Sequence, residues 1–269
     1  MEKSKVELQT LLLTSIHASI EAGFQIMDIY DTKIKVSIKR NLTPVTNADK
    51  LANETIIQRL EPFAIPFISE ESSIAPFEER TQWDYCWLID PLDGTKEFIS
   101  HRTDFTVNIA LIYKSIPIMG VIYAPAWDTL YFASEGMGSF RLDKASSLIK
   151  EHLIIDDIIS ASTKLPDITT DTYTYVVSRS HINMKTRRYL KKNKGEKVFI
   201  SKGSSLKLCA IAEGSAHEYP RFGRTMEWDI AAGDAIIRNA GAKVRIEGSS
   251  DLLTYNKADL ANPEFIASH

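Results

Sequence analysis

The sequence of 269 residues lacks the features that mark several special classes of protein. It has only two cysteines, Cys86 and Cys209, which lie in apolar contexts without C-x-x-C spacing. We therefore expect two reduced core residues and no disulfide framework. No apolar run approaches the ~20 residues that a membrane-spanning helix needs. The polar, helix-like N-terminus also does not resemble a signal peptide.

An excess of charge of one sign is missing as well. The formal net charge is -3 at pH 7, which argues against a protein that coats nucleic acid or adsorbs to membranes. Any anionic ligand must therefore be bound by local features. Internal repeats and low-complexity segments are absent, and the composition is ordinary for one large or two modest globular domains. We expect a soluble cytoplasmic protein without a nucleic-acid partner or an integral membrane segment.

The hydrophobic pattern predicts two helices and a strand in the first 60 residues. Apolar residues at a 3-4-4-3 spacing predict an amphipathic helix over most of residues 5–30. Its predicted inner face consists of Leu13, Ile16, Ile20, Phe24 and Met27. A short alternating pattern, formed by Ile34, Val36 and Ile38, then predicts a strand. A second helix is predicted to begin at Thr46–Asn47. Its inner face would consist of Ala52, Ile56 and Leu60.

The remainder of the chain separates into a β-meander and an α/β segment. Three apolar runs between Phe105 and Phe140, separated by short turns, predict the meander. Residues 141–172 are less patterned, so we predict an N-terminal α+β half of residues 1–145 and a C-terminal α/β half of residues 146–269. The second half alternates between predicted strands and helices. These are a strand at 174–178, helices at 206–214 and 229–239, and a strand at 242–246.

Two apolar runs end in carboxylates. Residues 65–69 are followed by Glu70 and Glu71, and residues 85–89 are followed by Asp90. If these runs are adjacent strands, their ends converge and so do the carboxylates. Clustered carboxylates repel one another unless a cation lies between them. Hard cations such as Mg²⁺ prefer oxygen ligands.

The segment that begins at Asp90 offers three such ligands. They are the carboxylates of Asp90 and Asp93 and, if the turn points it inward, the carbonyl oxygen of Leu92. Gly94 allows close approach of the backbone, and a helical turn that starts at Thr95 would direct free N–H groups at a phosphate.

Each acidic feature also has an ordinary interpretation. Asp93 and Gly94 could form a solvated turn, and Glu70–Glu71 could lie on the surface. Asp49 could complement a helix dipole, and Asp229 could be an N-cap. Their joint occurrence, in this order, favours a site.

The combination of motifs resembles the Mg²⁺-dependent, lithium-sensitive phosphatases that include inositol monophosphatase. The matching segments, which span nearly the whole chain, are Asp49, Glu70-Glu71-Ser72, WLIDPLDGT at 87–95 and WDIAAG at 228–233. The resemblance implies an α/β fold, a layered α+β sandwich of αβαβα architecture, with the active site where the two halves meet.

The resemblance also implies roles for the matching residues. Two or three Mg²⁺ ions would be bound by Glu70, Asp90, the Leu92 carbonyl, Asp93 and Asp229. The hydroxyl of Thr95, polarised by Asp49, would orient or help to deprotonate the attacking water, and Glu70 would assist. Asp93, Gly94 and Thr95 would also contact the substrate. Li⁺ would inhibit by replacing Mg²⁺ at one oxygen-rich site.

Substrate selection is expected to depend on the second half. Inositol monophosphatases typically carry a carboxylate seven residues before the last aspartate, but Phe222 stands at that position here. Phenylalanine cannot accept hydrogen bonds from inositol hydroxyls. Lys207 lies at the start of a predicted helix, where a cation is unfavourable for the dipole. A ligand explains it better, and we infer a second phosphate besides the one hydrolysed.

These segments resemble the 3′(2′),5′-bisphosphate nucleotidases. That resemblance implies removal of the 3′-phosphate from adenosine 3′,5′-bisphosphate, a by-product of sulfate assimilation, to give AMP and phosphate. It also implies that Ser204 and Lys207 bind the 5′-phosphate, with Ser205 as a further candidate. His181 would lie near the nucleotide, and Arg221 is another candidate substrate ligand.

Several alternatives stay open at this point. The chain could instead be an inositol or sugar monophosphatase, or a phosphate-binding protein without catalysis. For Glu227 we favour a solvent-facing role over a metal-binding one. Arg224 is a weaker candidate substrate ligand whose role stays undecided. The resemblance favours a monomer over a homodimer and allows peripheral association with the inner membrane. It leaves the preference between the bisphosphate and its phosphosulfate relative undecided.

Overall fold

The computed structural model describes residues 3–30, 32, 36–38, 44–148, 153–179, 182–192 and 195–269. The helices are α1 Lys5–Tyr30, α2 Asn47–Leu60, α3 Phe77–Arg80, α4 Thr95–Ile99, α5 Ile155–Ser160, α6 Met184–Lys192, α7 Leu206–Glu213 and α8 Glu227–Asn239. The strands are β1 Val36–Ile38, β2 Pro44–Thr46, β3 Phe67–Ser69, β4 Tyr85–Asp93, β5 Thr106–Tyr113, β6 Ile116–Ala124, β7 Thr129–Ser134, β8 Gly138–Asp143, β9 Thr163–Lys164, β10 Thr174–Ser178, β11 Val198–Lys202, β12 Glu218–Arg221, β13 Lys243–Ile246 and β14 Phe265–Ser268. Within these ranges, no helix is both long and apolar enough to cross a membrane.

The first sheet has seven strands in the order β3-β4-β5-β6-β7-β8-β9. β3 and β4 are parallel, and every later pair is antiparallel. The predicted meander is therefore present as β5, β6 and β7. The sheet also includes β9, which lies beyond residue 145. A two-residue strand is too short to show alternation, so this part of the sheet was not apparent from the sequence. The division at residue 145 stays a prediction.

The second sheet has five strands in the order β11-β10-β12-β14-β13. β10 is parallel to β11 and β12, whereas β14 is antiparallel to β12 and β13. The predicted strand at 174–178 and helix at 206–214 are present with nearly these bounds, and the helix predicted at 229–239 begins two residues earlier. Helix α6 was not predicted because its sequence is dominated by lysine and arginine.

Three hydrophobic clusters define five layers. One cluster packs α1 and α2 against one face of the first sheet. A second places α7 and α8 between the first sheet and the second. A third packs Leu190 of α6 against Tyr175 and Val177 on the second sheet. The resulting order is the predicted αβαβα sandwich, in which the two sheets are bridged by the helices that carry Lys207 and Asp229.

The N-terminal helices differ in how well their buried faces were predicted. The predicted inner face of α2 is fully buried. In α1, however, Phe24 is 45% exposed, whereas the unpredicted Ile26 is fully buried. The reason is that the buried stripe of α1 is wide and rich in small residues, so the bulky residues alone misplace its centre. Ile34 lies outside the described residues.

Candidate active site

The first acidic residues meet because β3 and β4 are parallel neighbours. Ile68 pairs with Leu88, and Ser69 pairs with Ile89. The Glu70 backbone N–H donates to the Ile89 carbonyl oxygen at 3.2 Å. The carboxyl ends of parallel strands lie at the same edge of a sheet, so Glu70 stands beside Asp90, as the sequence pattern predicted.

A bulge at the end of β4 shapes the central motif. Asp90 lies opposite Asn108 and Asp93 lies opposite Thr106, so β4 has one residue more than β5 over this interval. The Leu92 backbone N–H donates to Asp90 Oδ1 at 3.1 Å. The bulge thus holds the Asp90 carboxylate against its own turn, where it is 1% exposed.

The last aspartate lies on the first turn of α8. This helix begins at Glu227 and its N-cap is Met226, so the interpretation of Asp229 as an N-cap is wrong. Asp229 Oδ2 instead accepts the Met226 backbone N–H at 2.8 Å from the third position of the helix. Its carboxylate also joins the others: one oxygen each of Glu70, Asp90 and Asp229 lie within 4.8 Å of one another.

Electrostatics in this cluster favour a bound cation. Burial raises the pKa of Asp90 well above its usual range, and the charges of Glu70, Asp93 and Asp229 raise it further. Burial likewise raises the pKa of Asp229 to about 8, with the charge of Asp93 adding to the shift. Carboxylates that repel one another in a dry site become compatible when a divalent cation lies between them. The all-oxygen donor set fits Mg²⁺.

Asp49 and Thr95 form the predicted pair at the edge of the cluster. The Thr95 hydroxyl lies 3.0 Å from Asp49 Oδ1 and 3.2 Å from the Leu92 carbonyl oxygen. The other carboxylate oxygen of Asp49 accepts the backbone N–H and the hydroxyl of Thr46, at 2.7 and 2.6 Å. Burial raises the pKa of Asp49, although these hydrogen bonds oppose the shift. The carboxylate is thus fixed in place and is a stronger base than an exposed aspartate.

A pocket beside the cluster contains charges of both signs. Asp93 and Asp229 lie on its wall together with Arg179, Lys207 and Arg221. We call Glu70, Asp90, Asp93 and Asp229 the acidic group, and Arg179, Lys207 and Arg221 the basic group.

Lys207 is the most buried member of the basic group. It is 8% exposed, and its Nζ donates to the Ser204 carbonyl oxygen and lies over the Tyr219 ring. Burial lowers the pKa of Lys207 to about 8, an effect that Arg221 increases and Asp93 opposes. A buried cation of this kind suits an anionic ligand that enters the same pocket.

Ser204 and Gly94 lie against each other on the wall of the pocket. The Ser204 hydroxyl lies 2.9 Å from the Asp93 carbonyl oxygen and 2.8 Å from that of Asp104. Gly94 has φ +94°, and a Cβ built on it would stand 2.3 Å from Ser204 Oγ. Only glycine fits here, because any side chain would both strain the backbone and displace the serine.

Arg221 keeps one donor unsatisfied. Its Nε is buried and has no hydrogen-bond partner among the residues that the structure describes, while Nη2 donates to the Arg224 carbonyl oxygen at 3.2 Å. Arg224 itself is exposed. His181, the remaining predicted substrate residue, lies outside the described residues.

Comparison with known proteins places this geometry in one family. The sequence pattern of the inositol monophosphatase family matches residues 7–269. The chain belongs to the inositol monophosphatase family. A relative from Buchnera aphidicola subsp. Acyrthosiphon pisum, the 3′(2′),5′-bisphosphate nucleotidase CysQ, is 42% identical over 253 residues, which cover 92% of this chain and 89% of the relative. The enzyme of the same name from Escherichia coli (strain K12) is 40% identical over 251 residues, which cover 92% of this chain and 95% of the relative.

A solved structure supports the same assignment. The crystal structure of CysQ from Bacteroides thetaiotaomicron, described as a bacterial member of the inositol monophosphatase family, superposes with a TM-score of 0.92 at 41% identity and 98% coverage of both chains. Inositol monophosphatase from Anabaena (Nostoc) sp. PCC 7120 superposes with a TM-score of 0.69 at 22% identity, which shows the shared fold alone.

Two supporting groups in this family member were missed by the sequence reasoning. Buried Asp104 accepts the Gly203 backbone N–H at 3.2 Å and forms an ion pair with Arg179 at 2.9 Å. Buried Asn53 accepts the Ser69 hydroxyl at 2.6 Å and donates to Ser72 at 3.2 Å, which braces the turn containing Glu70. A lone Asp or Asn carries no motif, so no local signal identified either residue.

The solvent-facing prediction for Glu227 is wrong. Glu227 is fully buried and accepts the backbone N–H groups of Asn256 and Lys257 at 2.5 and 3.0 Å. The Lys257 ammonium group forms an ion pair with the same carboxylate. Glu227 therefore anchors the segment that follows Tyr255, because a buried carboxylate requires donors and this segment supplies three.

Phe222 occupies the position at which we expect a carboxylate in an inositol monophosphatase. It is 4% exposed and packs edge-to-face against Tyr189, with the ammonium group of Lys185 over its ring. Its side chain offers no acceptor for a sugar hydroxyl.

Proposed function

We propose that the protein is a Mg²⁺-dependent phosphomonoesterase that removes the 3′-phosphate of adenosine 3′,5′-bisphosphate to give AMP and phosphate. One observation carries the proposal. Buried Lys207 shares a pocket with Asp93 and Asp229 of the acidic group. A substrate with two phosphates can place one at the acidic group through Mg²⁺ and the other against Lys207.

The acidic group would hold the metal. Glu70, Asp90 and Asp229 offer converging carboxylate oxygens, and Asp93 and the Leu92 carbonyl oxygen follow on the same bulge. Mg²⁺, when bound, would lower the pKa of the attacking water and spread the negative charge of the phosphoryl group. We propose two or three ions per site.

The Asp49–Thr95 pair would accept the proton of the attacking water. Thr95 donates its hydroxyl hydrogen to Asp49, which leaves the lone pairs of its oxygen free to accept a hydrogen bond from water. As the water loses its proton to Thr95 Oγ1, the threonine proton can pass to Asp49 Oδ1. The raised pKa of Asp49 favours this transfer. Glu70 would assist.

The basic group would bind the second phosphate. Lys207 and the unsatisfied donor of Arg221 supply positive charge and N–H groups to the pocket. Ser204 is proposed as a further contact, although its hydroxyl has backbone acceptors available. The substrate role of His181 stays a prediction, as do a monomeric state and a cytoplasmic location.

The relatives support this substrate class. Those at 40–42% identity are named 3′(2′),5′-bisphosphate nucleotidases. Phe222 also supports this substrate class, because a buried aromatic ring cannot replace the carboxylate expected of an inositol monophosphatase.

A phosphate-release assay tests the proposal. With Mg²⁺ present, adenosine 3′,5′-bisphosphate should be hydrolysed far more efficiently than inositol 1-phosphate, and EDTA or millimolar-scale Li⁺ should inhibit. The Asp93→Asn variant should abolish turnover. Equal or better turnover of inositol 1-phosphate would instead favour the monophosphatase alternative. A wild-type protein that is inactive on every phosphate ester would favour a binding protein.

A further inference from the structure

Ser205 lines the same pocket as Ser204 and Lys207, but its hydroxyl contacts the acidic group. It is 3% exposed at the N-terminal end of α7. Its hydroxyl oxygen lies 3.1 Å from Asp93 Oδ2, 2.9 Å from the Asp229 carbonyl oxygen and 2.8 Å from Asn108 Nδ2. One hydroxyl thus contacts metal-ligand residues of both halves.

The direction of these hydrogen bonds restricts what Ser205 can do. The Asn108 amide can only donate through Nδ2, so the Ser205 oxygen accepts. The single hydroxyl proton then goes to Asp93 or to the Asp229 carbonyl oxygen, both of which are acceptors. No proton remains for a phosphate, so Ser205 is poorly suited to the substrate-binding role considered for it.

Asn108 places the same hydrogen-bond network beside Asp90, a third proposed metal ligand. It is fully buried on β5 and lies directly opposite Asp90 of β4. Directly opposed residues of an antiparallel pair project from the same face of the sheet. Asn108 therefore stands beside Asp90 while its amide fixes the hydroxyl that reaches Asp93 and Asp229.

A hydrogen bond from an uncharged side chain can offset repulsion between acidic groups. Asp93 at the end of β4 and Asp229 on α8 lie on the wall of one pocket. Before the metal binds, repulsion between their carboxylates favours their separation. A hydrogen-bond donor shared between them opposes that separation and preorganises the ligands.

We propose that Ser205, oriented by Asn108, is a positioning residue that holds Asp93 and Asp229 in the metal-binding arrangement. The proposal rests on the proposed function, which assigns both aspartates to the metal. It predicts that loss of the hydroxyl weakens metal binding and leaves recognition of the second phosphate intact.

The test compares Ser205→Ala with the wild type in the absence of substrate. Calorimetric titration with Mg²⁺, repeated with Mn²⁺ by paramagnetic resonance, should show about 10- to 100-fold weaker metal binding, as is typical when a group that orients a ligand is lost. The matched control is Ser15→Ala, since Ser15 is also a fully buried serine whose hydroxyl donates to a backbone carbonyl, but within α1. The control should bind the metal like the wild type.

Kinetics separate positioning from substrate binding. At saturating Mg²⁺, Ser205→Ala should have a near-wild-type KM for both adenosine 3′,5′-bisphosphate and adenosine 3′-monophosphate, while the Mg²⁺ concentration for half-maximal rate rises for both. A KM that rises for the bisphosphate alone, at unchanged metal affinity, would make Ser205 a phosphate ligand and overturn the inference.

Asn108 supplies a second variant. Asn108→Ala should also weaken Mg²⁺ binding, and the double variant should be little weaker than Ser205→Ala because both changes remove one connection. Fully additive losses would contradict the proposed coupling. If the wild type binds no Mg²⁺, the proposed function fails and the inference with it. If the wild type binds Mg²⁺ and folded Ser205→Ala binds it equally well, the inference alone is overturned.

Discussion

The acidic and basic groups share one site but are built in opposite ways. The acidic group consists of four like charges, whose mutual repulsion and burial raise the pKa values of Asp90, Asp93 and Asp229. The basic group depends on one deeply buried lysine, whose pKa is lowered to about 8 although Asp93 opposes the shift. Each group is unfavourable alone, and each is relieved by a ligand of opposite charge.

Under the proposed function, this difference corresponds to separate tasks for the two groups. The acidic group would hold the cations and so determine the chemistry. The basic group would bind an anion that is not itself hydrolysed and so determine the substrate. Variants of the acidic group should therefore affect every substrate, and variants of the basic group should affect only those with a second phosphate.

The largest effect is expected from Asp90→Asn. The proposed function assigns Asp90 to the metal, and this change removes the negative charge of that ligand, so we expect turnover of every substrate to fall by roughly 10³-fold, the scale of losing a central electrostatic contact. Without metal, the variant should melt at a higher temperature than the wild type at neutral pH. The reason is that a buried amide needs no proton, whereas the buried carboxyl of Asp90 must take one up on folding. Steady-state kinetics and thermal scans in EDTA measure the two effects, and a variant that retains wild-type turnover would contradict the metal assignment.

The next effect is expected from Lys207→Met, which keeps most of the side-chain volume. The KM for adenosine 3′,5′-bisphosphate should rise roughly 10- to 100-fold, since a charge-assisted hydrogen bond contributes about 1.5–3 kcal/mol. The KM for adenosine 3′-monophosphate should change little. Lys202→Met is the matched control. Lys202 is the last residue of neighbouring β11, and its ammonium group lies over the Trp127 ring. Equal losses for both substrates would show that Lys207 supports the fold and not the second phosphate.

A moderate effect is expected from pH on the metal-free protein. The folded-state pKa values of Asp90 and Asp229 exceed their unfolded values. Between about pH 4 and about pH 8 the folded state thus holds protons that the unfolded state releases, and the free energy of unfolding falls as pH rises.

Thermal scans with and without Mg²⁺ measure this dependence. The stabilisation by Mg²⁺ should grow from about pH 5 to about pH 8, because the ion replaces the protons of the acidic group. Groups outside the cluster, such as His17, contribute equally to the stability with and without Mg²⁺, so their contributions cancel in the difference between the two scans. A stabilisation that does not change with pH would show that these carboxylates are already ionised without the metal.

The smallest effect on activity is expected from Glu227→Gln. Loss of the buried charge opposite Lys257 should lower the free energy of unfolding by about 1–3 kcal/mol, while Mg²⁺ affinity stays unchanged. Denaturant unfolding and metal titration separate these outcomes. A large loss of Mg²⁺ affinity would return Glu227 to the metal site.

The convergence of Glu70 and Asp90 was predictable because they lie in short segments with fixed local geometry, whereas Asp229 was added to the acidic group only through the family resemblance. The apolar runs before Glu70 and Asp90 predicted adjacent strands, and the parallel register brings their ends together. Thr46 begins α2 as predicted, and its hydrogen bonds orient Asp49. Where the local pattern and the tertiary contacts agree, the sequence is sufficient.

The supporting contacts were not predictable because they join distant positions. Asn108 and Ser205 are 97 positions apart. Asn108 belongs to no motif, and the motif that contains Ser205 suggested a phosphate ligand and gave no sign of its contact with Asn108. Glu227 was misjudged for the same reason, since its donors come from a segment about 30 positions later. The prediction that Phe24 is buried failed for a different reason. An apolar side chain in an amphipathic pattern need not be buried when small residues define the packed face.

A structure of the protein with adenosine 3′,5′-bisphosphate and Ca²⁺, which should slow the Mg²⁺-dependent reaction, tests the division of tasks most directly. We predict the 3′-phosphate and the metal ions among Glu70, Asp90, Asp93 and Asp229, with the 5′-phosphate against Lys207. A nucleotide bound in the opposite sense, or a 5′-phosphate remote from Lys207, would contradict the account.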